Sequence, residues 1–347
     1  MRAVLITQTA VVPTVTEVPD PACPPGGVVV DVAATGVCRS DWHAWMGHDP
    51  VELPHVPGHE LVGTIREVGE GVTRWRVGDR VTTPFVCGCG VCAWCLAGES
   101  QVCPDQTQPG FTGWGSFAER VALHAADHNL VALPDAIGDV EAAALGCRFA
   151  TAYRAVAQHG AAGEGHWVAV HGAGGVGLSA LLVAKALGAR VVAVDVAPAS
   201  LALATDLGAD VVVDGSGLTP EQVGAAVTEV TGGGAHVSLD AYGSPSTATG
   251  SVLSLRRRGR HVQAGLLLGD QATPPLPMDR VVGWELSIHG THGLAAADYP
   301  AMLELVAGRI DLARLVGAVV PLEDAPAALA ALGSPPAHPG VTVVTLP

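Results

Sequence analysis

The alternation of apolar and polar positions divides the chain into regions of different character. Up to about residue 150, short β-like runs are separated by glycine and proline, which is typical of an irregular, mostly β domain. These runs are Val28–Ala33, Leu61–Val68, Arg80–Phe85 and Phe117–Leu123.

From about residue 165 to residue 289, apolar strands alternate with helical stretches. This spacing of strand and helix predicts a parallel, doubly wound sheet. The predicted strands are His166–His171, Arg190–Asp195, Ala209–Asp214, Val237–Tyr242 and His261–Gly265, and the helices include Leu178–Leu187 and Ser200–Leu207. The fold class is therefore α/β, with an irregular mostly-β domain and a doubly wound Rossmann domain.

The C-terminal region does not extend this alternation. It contains one predicted helix, Asp298–Ala307, and a closing apolar strand, Val341–Leu346. We expect this tail to return to the first domain. The 347 residues accommodate two domains, which we place at 1–150 together with 290–347, and at 151–289.

The formal net charge of −15 argues against nucleic acid or an anionic membrane as a partner. The basic run Arg256–Arg258 is predicted to be a solvated helix end. Charged residues interrupt the long apolar stretches, so no membrane span is expected. The first ten residues lack the apolar core of a signal peptide. We expect a cytoplasmic protein that acts on a small molecule.

A glycine-rich loop follows the first strand of the alternating region. In Gly172-Ala-Gly174-Gly175-Val176-Gly177, the glycines permit a tight turn, close approach of a pyrophosphate and close packing of helix on strand. Asp195 ends the next strand, where its carboxylate can hold the adenosine ribose. Residues 196–201 contain no Arg or Lys. The sequence therefore predicts NAD rather than NADP as the cofactor.

Five of the eight cysteines lie between Cys87 and Cys103. The spacing Cys89-x2-Cys92-x2-Cys95-x7-Cys103 can aim four thiolates at one tetrahedral centre, which predicts a structural zinc site without an open position. Disulfides are disfavoured in a chain without an export signal. Cys87 could replace Cys89 in principle, but the regular spacing from Cys89 onward favours Cys89. Cys87 and Cys23 are predicted to be buried thiols.

Candidate ligands for a catalytic metal are scattered along the chain. Cys38, His59 and Cys147 offer the donor types that catalytic zinc uses, three protein ligands with one position left open. Each of them alone is weak evidence, because a single Cys or His is more often structural. Whether the three residues meet at one site stays open from their spacing alone.

In the order and spacing of these motifs, the chain resembles the zinc-containing medium-chain alcohol dehydrogenase family along nearly its whole length. The residues that carry the resemblance are Cys38-x-Ser40-Asp41-x-His43, Gly58-His59-Glu60, the four-cysteine lobe, Cys147 with Thr151, and the loop Gly172–Gly177.

The resemblance implies that Cys38, His59 and Cys147 hold a catalytic zinc, and that the fold wraps its C-terminal tail back onto a GroES-like first domain. It further implies that Asp41 orients His59 without binding the metal and that Glu60 lies beside the metal. By the same resemblance, Arg39 contacts the cofactor pyrophosphate and Thr151 contacts the nicotinamide end. Arg148 departs from the family pattern, in which many members carry a smaller residue, so cofactor contacts there can differ. A homo-oligomer, dimer or tetramer, is expected by analogy.

The predicted reaction is hydride transfer between an alcohol and NAD. Zinc lowers the pKa of the alcohol, and the hypothesis routes the proton through the Ser40 hydroxyl, the cofactor ribose and His43. Phe85, Trp114 and Trp42 are candidates for an apolar substrate pocket.

Several alternatives remain beside this prediction. They are a polyol or amino-alcohol dehydrogenase, an aldehyde dismutase, a zinc-free quinone or enone reductase, and a non-catalytic NAD- and zinc-binding protein. The cysteine lobe and the Cys38/His59/Cys147 set count against the zinc-free reductase. The Ser40 and His43 pair counts against the non-catalytic protein, because a binding module needs no proton path.

Overall fold

The structure is a computed structural model that describes residues 1–334 and 340–347. The chain forms two compact units. Unit 1 comprises Met1–Ala150, Gly293–Ala307 and Asp311–Pro347, and unit 2 comprises Thr151–His292 with Gly308–Ile310. Among the described residues, no helix has the length and apolarity that a membrane crossing requires.

The strands, in chain order, are β1 (Arg2–Leu5), β2 (Thr14–Glu17), β3 (Val28–Val37), β4 (Leu61–Val68), β5 (Arg80–Thr82), β6 (Arg120–Leu123), β7 (Val131–Ala132), β8 (Trp167–His171), β9 (Arg190–Asp195), β10 (Val211–Asp214), β11 (Ala235–Asp240), β12 (Leu255–Gln263), β13 (Ser287–Gly290), β14 (Val316–Pro321) and β15 (Val341–Thr345).

The α-helices are α1 (Arg39–Trp45), α2 (Ala93–Leu96), α3 (Ala126–Asn129), α4 (Asp139–Ala142), α5 (Ala150–Tyr153), α6 (Gly175–Ala186), α7 (Pro198–Asp206), α8 (Pro220–Thr231), α9 (Pro245–Leu253), α10 (Met278–Gly283), α11 (Tyr299–Arg309) and α12 (Ala325–Ala331). Two π-helical segments, Leu145–Phe149 and Arg154–His159, flank α5.

Unit 1 is organised around the long strand β3. The main sheet has the order β14-β15-β3-β4-β5-β7, and β6 pairs with β3 as well. The C-terminal strand β15 runs antiparallel to β3, with Thr345 opposite Ala34. Valines of β3 bury their side chains with those of β4 and β6 in one apolar cluster, which is the packing that β-branched residues favour.

Unit 2 contains a six-stranded parallel sheet in the order β10-β9-β8-β11-β12-β13. The strand order reverses between β8 and β11, and ligands of doubly wound sheets bind at the carboxyl ends of the strands at such a point. Every residue of β8 is buried, as expected for a central strand covered on both faces. The predicted α/β fold class is confirmed.

The basic run Arg256–Arg258 is exposed as predicted, but the prediction that it ends a helix is wrong. Helix α9 ends at Leu253, and the three arginines lie in strand β12 with their side chains exposed. A register shift between Ala235 and Val237 disturbs the pairing of β11 with β12, and Arg258 has a positive φ of 59°. At this irregularity three successive side chains are exposed, so the alternation of buried and exposed positions expected of a strand is absent there.

Candidate active site

The structure brings Cys38, His59 and Cys147 together, with one potential ligand atom from each within 4.8 Å of the others. Cys38 directly precedes helix α1, and His59 lies two residues before strand β4. Cys147 lies in the π-helical segment Leu145–Phe149, a type of distortion that is frequent at functional sites. Three separate segments of unit 1 thus bring the three donors together.

The carboxylate of Asp41 connects two of these donors. Its Oδ1 accepts hydrogen bonds from Nδ1 of His59 at 2.9 Å and from the backbone N–H of Gly58 at 3.0 Å. Its Oδ2 accepts from the backbone N–H of Cys38 at 3.0 Å. Asp41 is fully buried, and this set of bonds fixes the ring of His59 with its proton on Nδ1.

The donor set fits a zinc ion. The Nε2 atom of His59 is buried without a hydrogen-bond partner, which is costly unless a ligand completes the site. Hydrogen bonding from the Cys147 thiol lowers the pKa of Cys38 well below its usual range, although burial opposes this shift. An imidazole nitrogen and two sulfurs are ligands that zinc prefers, and three protein ligands leave one position open for a reactant.

Glu60, the residue after His59, forms a buried ion pair with Arg148, the residue after Cys147. Oε1 of Glu60 accepts from the backbone N–H of Arg148 at 2.9 Å and from its Nε at 3.1 Å, and Oε2 accepts from Nη2. Nη1 of Arg148 donates to the carbonyl of Val37 at 3.0 Å. A Cβ at Gly36 would lie 2.3 Å from Oε2 of Glu60. The pairing of Arg148 with Glu60 was not predicted from the sequence.

Two phenylalanine rings lie beside His59. The ring centroid of Phe85 is 6.0 Å from that of His59, and the centroid of Phe111 is 5.2 Å away. Phe85 was a pocket candidate in the sequence, whereas Phe111 was missed because it belongs to no recognisable motif. The indole N–H of Trp114, another candidate, donates to the carbonyl of Pro54 at 3.2 Å.

Helix α1 presents the residues predicted for proton transfer. The Oγ atom of Ser40 lies 3.9 Å from Sγ of Cys38. His43, one turn further along the helix, has its Nδ1 atom 3.1 Å from Nδ1 of His48. The guanidinium of Arg39 stacks on the ring of Trp42 at 4.7 Å and donates to the carbonyl of Leu332.

The four cysteines of the lobe, Cys89, Cys92, Cys95 and Cys103, also have their sulfur atoms within 4.8 Å of one another. The lobe orients its own sulfurs. Backbone N–H groups donate to sulfur at 3.4 Å, from Cys92 to Cys89 and from Cys95 to Cys92. Hydrogen bonds from the N–H groups of Val91 and Cys92 lower the pKa of Cys89 to about 7. Four such sulfurs fit a closed tetrahedral zinc site.

Cys87 is separate from this set. Its thiol is buried and donates to the carbonyl of Pro84 at 3.5 Å, and burial raises its pKa to about 11. Cys23 is half-buried, and its thiol lies 3.8 Å from the carbonyl of Gly27. All eight cysteines are without a disulfide.

In unit 2, the glycine-rich loop joins β8 to α6. Gly172 has a φ of +94°, which glycine adopts without the usual strain. A Cβ at Gly177 would lie 1.9 Å from the carbonyl oxygen of Gly172, so only glycine allows this approach. Gly174 precedes α6, and Gly175, Val176 and Gly177 form its first turn.

Asp195 lies at the end of β9, beside this loop. Its Oδ2 accepts from the backbone N–H of Ala173 at 2.6 Å, and its Oδ1 accepts from the N–H groups of Val196 and Ala197 at 2.8 and 2.9 Å. The structure thus places the glycines and Asp195 at one end of the parallel sheet.

Thr151, in helix α5, is buried.

The comparisons with known proteins agree with this geometry. Residues 24–135 match the alcohol dehydrogenase GroES-like domain, and residues 175–308 match the zinc-binding dehydrogenase domain. An alcohol dehydrogenase of Geobacillus stearothermophilus is 36% identical and covers 84% of each chain. A sorbitol dehydrogenase of Halalkalibacterium halodurans is 33% identical, again over 84% of each chain.

Solved structures extend the comparison to the whole chain. A dehydrogenase of E. coli CFT073, solved with NADH, is 28% identical with a TM-score of 0.88, and the match covers 100% of this chain and 99% of that chain. These matches define a two-domain oxidoreductase. The chain belongs to the zinc-dependent medium-chain alcohol dehydrogenase family, whose members interconvert alcohols with aldehydes or ketones. The family resemblance seen in the sequence is confirmed.

Proposed function

We propose that this chain is an NAD-linked alcohol dehydrogenase that binds one zinc at Cys38, His59 and Cys147 and a second zinc in the four-cysteine lobe. Two observations carry the proposal: the Nε2 atom of His59 is buried without a hydrogen-bond partner, and a ring nitrogen of His59 lies within 4.8 Å of both thiol sulfurs. Zinc held there supplies a Lewis acid that lowers the pKa of an alcohol.

The side chains around this site have complementary tasks. Asp41 orients His59 and the N-terminus of α1, because its two oxygens accept from both. Glu60 and Arg148 hold the segment after Cys147 against β3 through their ion pair and the bond to Val37. Ser40 would accept the alcohol proton and His43 would release a proton to solvent, and the ribose hydroxyls of a bound NAD would supply the link between them.

We assign the cofactor to unit 2, with Arg39 and Thr151 as further contacts. The helix N-terminus after Gly172–Gly177 offers unpaired N–H groups to a pyrophosphate. Asp195 suits the ribose hydroxyls of NAD, and residues 196–201 supply no cation for a 2′-phosphate. The NADH bound in the related E. coli structure supports this assignment.

For the substrate, Phe85 and Phe111 beside His59 support an apolar alcohol or aldehyde. A polyol is the second candidate, because a sorbitol dehydrogenase is among the relatives.

We further propose a homo-oligomer. Its support is the apolar surface near the edge strand β13, where Met278, Val282 and Ile288 are exposed. A cytoplasmic location is supported by the eight cysteines without disulfides.

The test is NAD and NADP reduction by a panel of apolar alcohols, polyols and amino alcohols, before and after treatment with a zinc chelator. We expect turnover of an apolar alcohol with NAD, its loss after chelation and its return when zinc is added. The metal content should be two zinc ions per chain before treatment. Chelation-insensitive turnover of enones would instead support the zinc-free reductase, and absence of turnover in both directions would support a binding protein.

A further inference from the structure

We propose that His48 is a positioning residue for proton transfer. It accepts a hydrogen bond from Nδ1–H of His43 and thereby keeps Nε2 of His43 free to take up a proton. The inference rests on the proposed role of His43 as the last residue of the proton path. It adds a residue that the sequence motifs did not indicate.

The chain holds the two imidazole rings in a defined arrangement just after helix α1. Their Nδ1 atoms are 3.1 Å apart. The carbonyl of His43 accepts from the backbone N–H groups of His48 at 2.9 Å and of Asp49 at 3.3 Å. Gly47, with a φ of +77°, reverses the chain between the two rings. The arrangement is therefore set by backbone bonds.

Trp42 supports both rings from one side. Its ring lies edge-on to His43 at a centroid distance of 5.1 Å and edge-on to His48 at 5.3 Å. This packing limits the rotation of the half-buried ring of His43 and keeps its Nδ1 atom directed at His48. Rotation of the ring by half a turn would break the bond between the two Nδ1 atoms.

The proposed role requires one direction for the hydrogen bond between the two rings. Two neutral imidazoles in contact through Nδ1 share a single proton, so one ring must donate and the other must accept. If His43 accepted, its own proton would lie on Nε2, and that atom could take up no further proton. His48 is exposed, so its Nε2–H can donate to water while its Nδ1 accepts from His43.

The surroundings of His43 favour its neutral form. Burial lowers the pKa of His43 most, followed by the positive charge of Arg39 and, whenever it is protonated, of His48, while Cys38 and Asp49 act in the opposite direction. A neutral ring with its proton fixed on Nδ1 can accept a proton on Nε2. The resulting cation strengthens its bond to His48, because charge-assisted hydrogen bonds are the stronger ones.

The direct test is the tautomer of His43 in ¹⁵N-histidine NMR spectra, with its signals assigned by their loss in His43→Gln. We expect the Nδ1–H form in the unmodified protein and a shift towards Nε2–H in His48→Leu. His48→Asn should restore the Nδ1–H form, because the asparagine Oδ1 can replace the accepting nitrogen. His124→Leu, which removes an exposed histidine elsewhere in unit 1, is the matched control. An Nε2–H tautomer in the unmodified protein would overturn the proposal.

Kinetics separates this role from a general structural one. In His48→Leu we expect kcat to fall about tenfold, the usual order for loss of an outer hydrogen-bond partner, with KM unchanged and an altered pH profile. His48→Asn should recover most of kcat. The double variant with His43→Gln should be no slower than His43→Gln alone. If His43→Gln itself leaves turnover unchanged, the proposed proton path through His43 is wrong. If instead the losses of kcat in the two single variants add in the double variant, His48 does not act through His43.

Discussion

The two candidate metal sites of unit 1 are built in opposite ways. The four-cysteine lobe takes all its donors from residues 89–103 and orients them with its own backbone N–H groups. The other site takes Cys38, His59 and Cys147 from three separate elements and orients His59 through Asp41. One site is local, and its four donors would close the coordination of a zinc ion. The other is assembled by the fold, and its three donors would leave one position open.

Because of this difference, metals bound at the two proposed sites would depend on the protein in different ways. A site whose donors are arranged by the surrounding fold can lose its metal while the fold persists. A lobe whose chain is organised around its sulfurs has little apolar core of its own, since Val91, Trp94 and Leu96 are exposed. We therefore expect loss of the first zinc to affect turnover and loss of the second to affect stability.

The largest effect is expected for His59→Ala. Removal of the imidazole should lower kcat/KM about 10³-fold or more, because a Lewis acid contributes several kcal/mol to the reaction. Zinc analysis should show one ion per chain, retained by the lobe. Cys87→Ser, which alters a buried thiol outside both sites, should keep both ions and nearly all activity. A His59→Ala protein that retains two ions would contradict the assignment.

The second prediction concerns the lobe. Cys103→Ala should lower the free energy of unfolding by about 3–5 kcal/mol, because binding of a structural zinc contributes directly to folding. Chemical unfolding of the variant measures this loss. At a temperature where the variant is folded, kcat should stay within about threefold of the unmodified protein. A variant with normal stability but abolished turnover would reverse the proposed roles of the two sites.

A smaller effect is expected for Asp41→Asn, which keeps the shape of the side chain but replaces an accepting oxygen. Since outer-shell partners of zinc ligands typically account for 10- to 100-fold in metal affinity or activity, we expect a loss of about this size. Competition with a chelator should show that the three-donor site loses zinc faster than in the unmodified protein, while the rate of zinc loss from the lobe stays the same. Asp135→Asn, at an exposed carboxylate, is the control. Equal chelator resistance in both variants would argue against the role of Asp41.

The same contrast explains what the sequence could predict. The lobe was evident from cysteine spacing alone, because its geometry is local. The three-donor site required the family resemblance, since nothing in the spacing of Cys38, His59 and Cys147 requires them to meet. Arg148 was noticed only as a departure, because its partner Glu60 is distant in sequence and the ion pair depends on the approach of β3 and β4 to the segment after Cys147.

The ends of the strands show a similar limit to what can be predicted from the sequence. β4 and β9 were predicted with the bounds that the structure has, because both are rich in apolar and β-branched residues. β5 ends three residues before the predicted end at Phe85. The N–H of Phe85 donates to the carbonyl of Gly146, so contacts around the site replace strand pairing there. The pattern of apolar and polar residues does not reveal such long-range hydrogen bonds.

The ion pair of Glu60 and Arg148 has a consequence for the charge balance of the three-donor site. With zinc bound, the two thiolates would neutralise the divalent cation, and the guanidinium of Arg148 neutralises the carboxylate of Glu60 in its buried position. The buried carboxylate of Asp41, bonded to His59, then leaves one negative charge in the sum over these groups, so the loaded site would repel anions. An uncharged reactant loses little hydration on entering such a place, whereas a carboxylate would lose its water and meet a charge of its own sign.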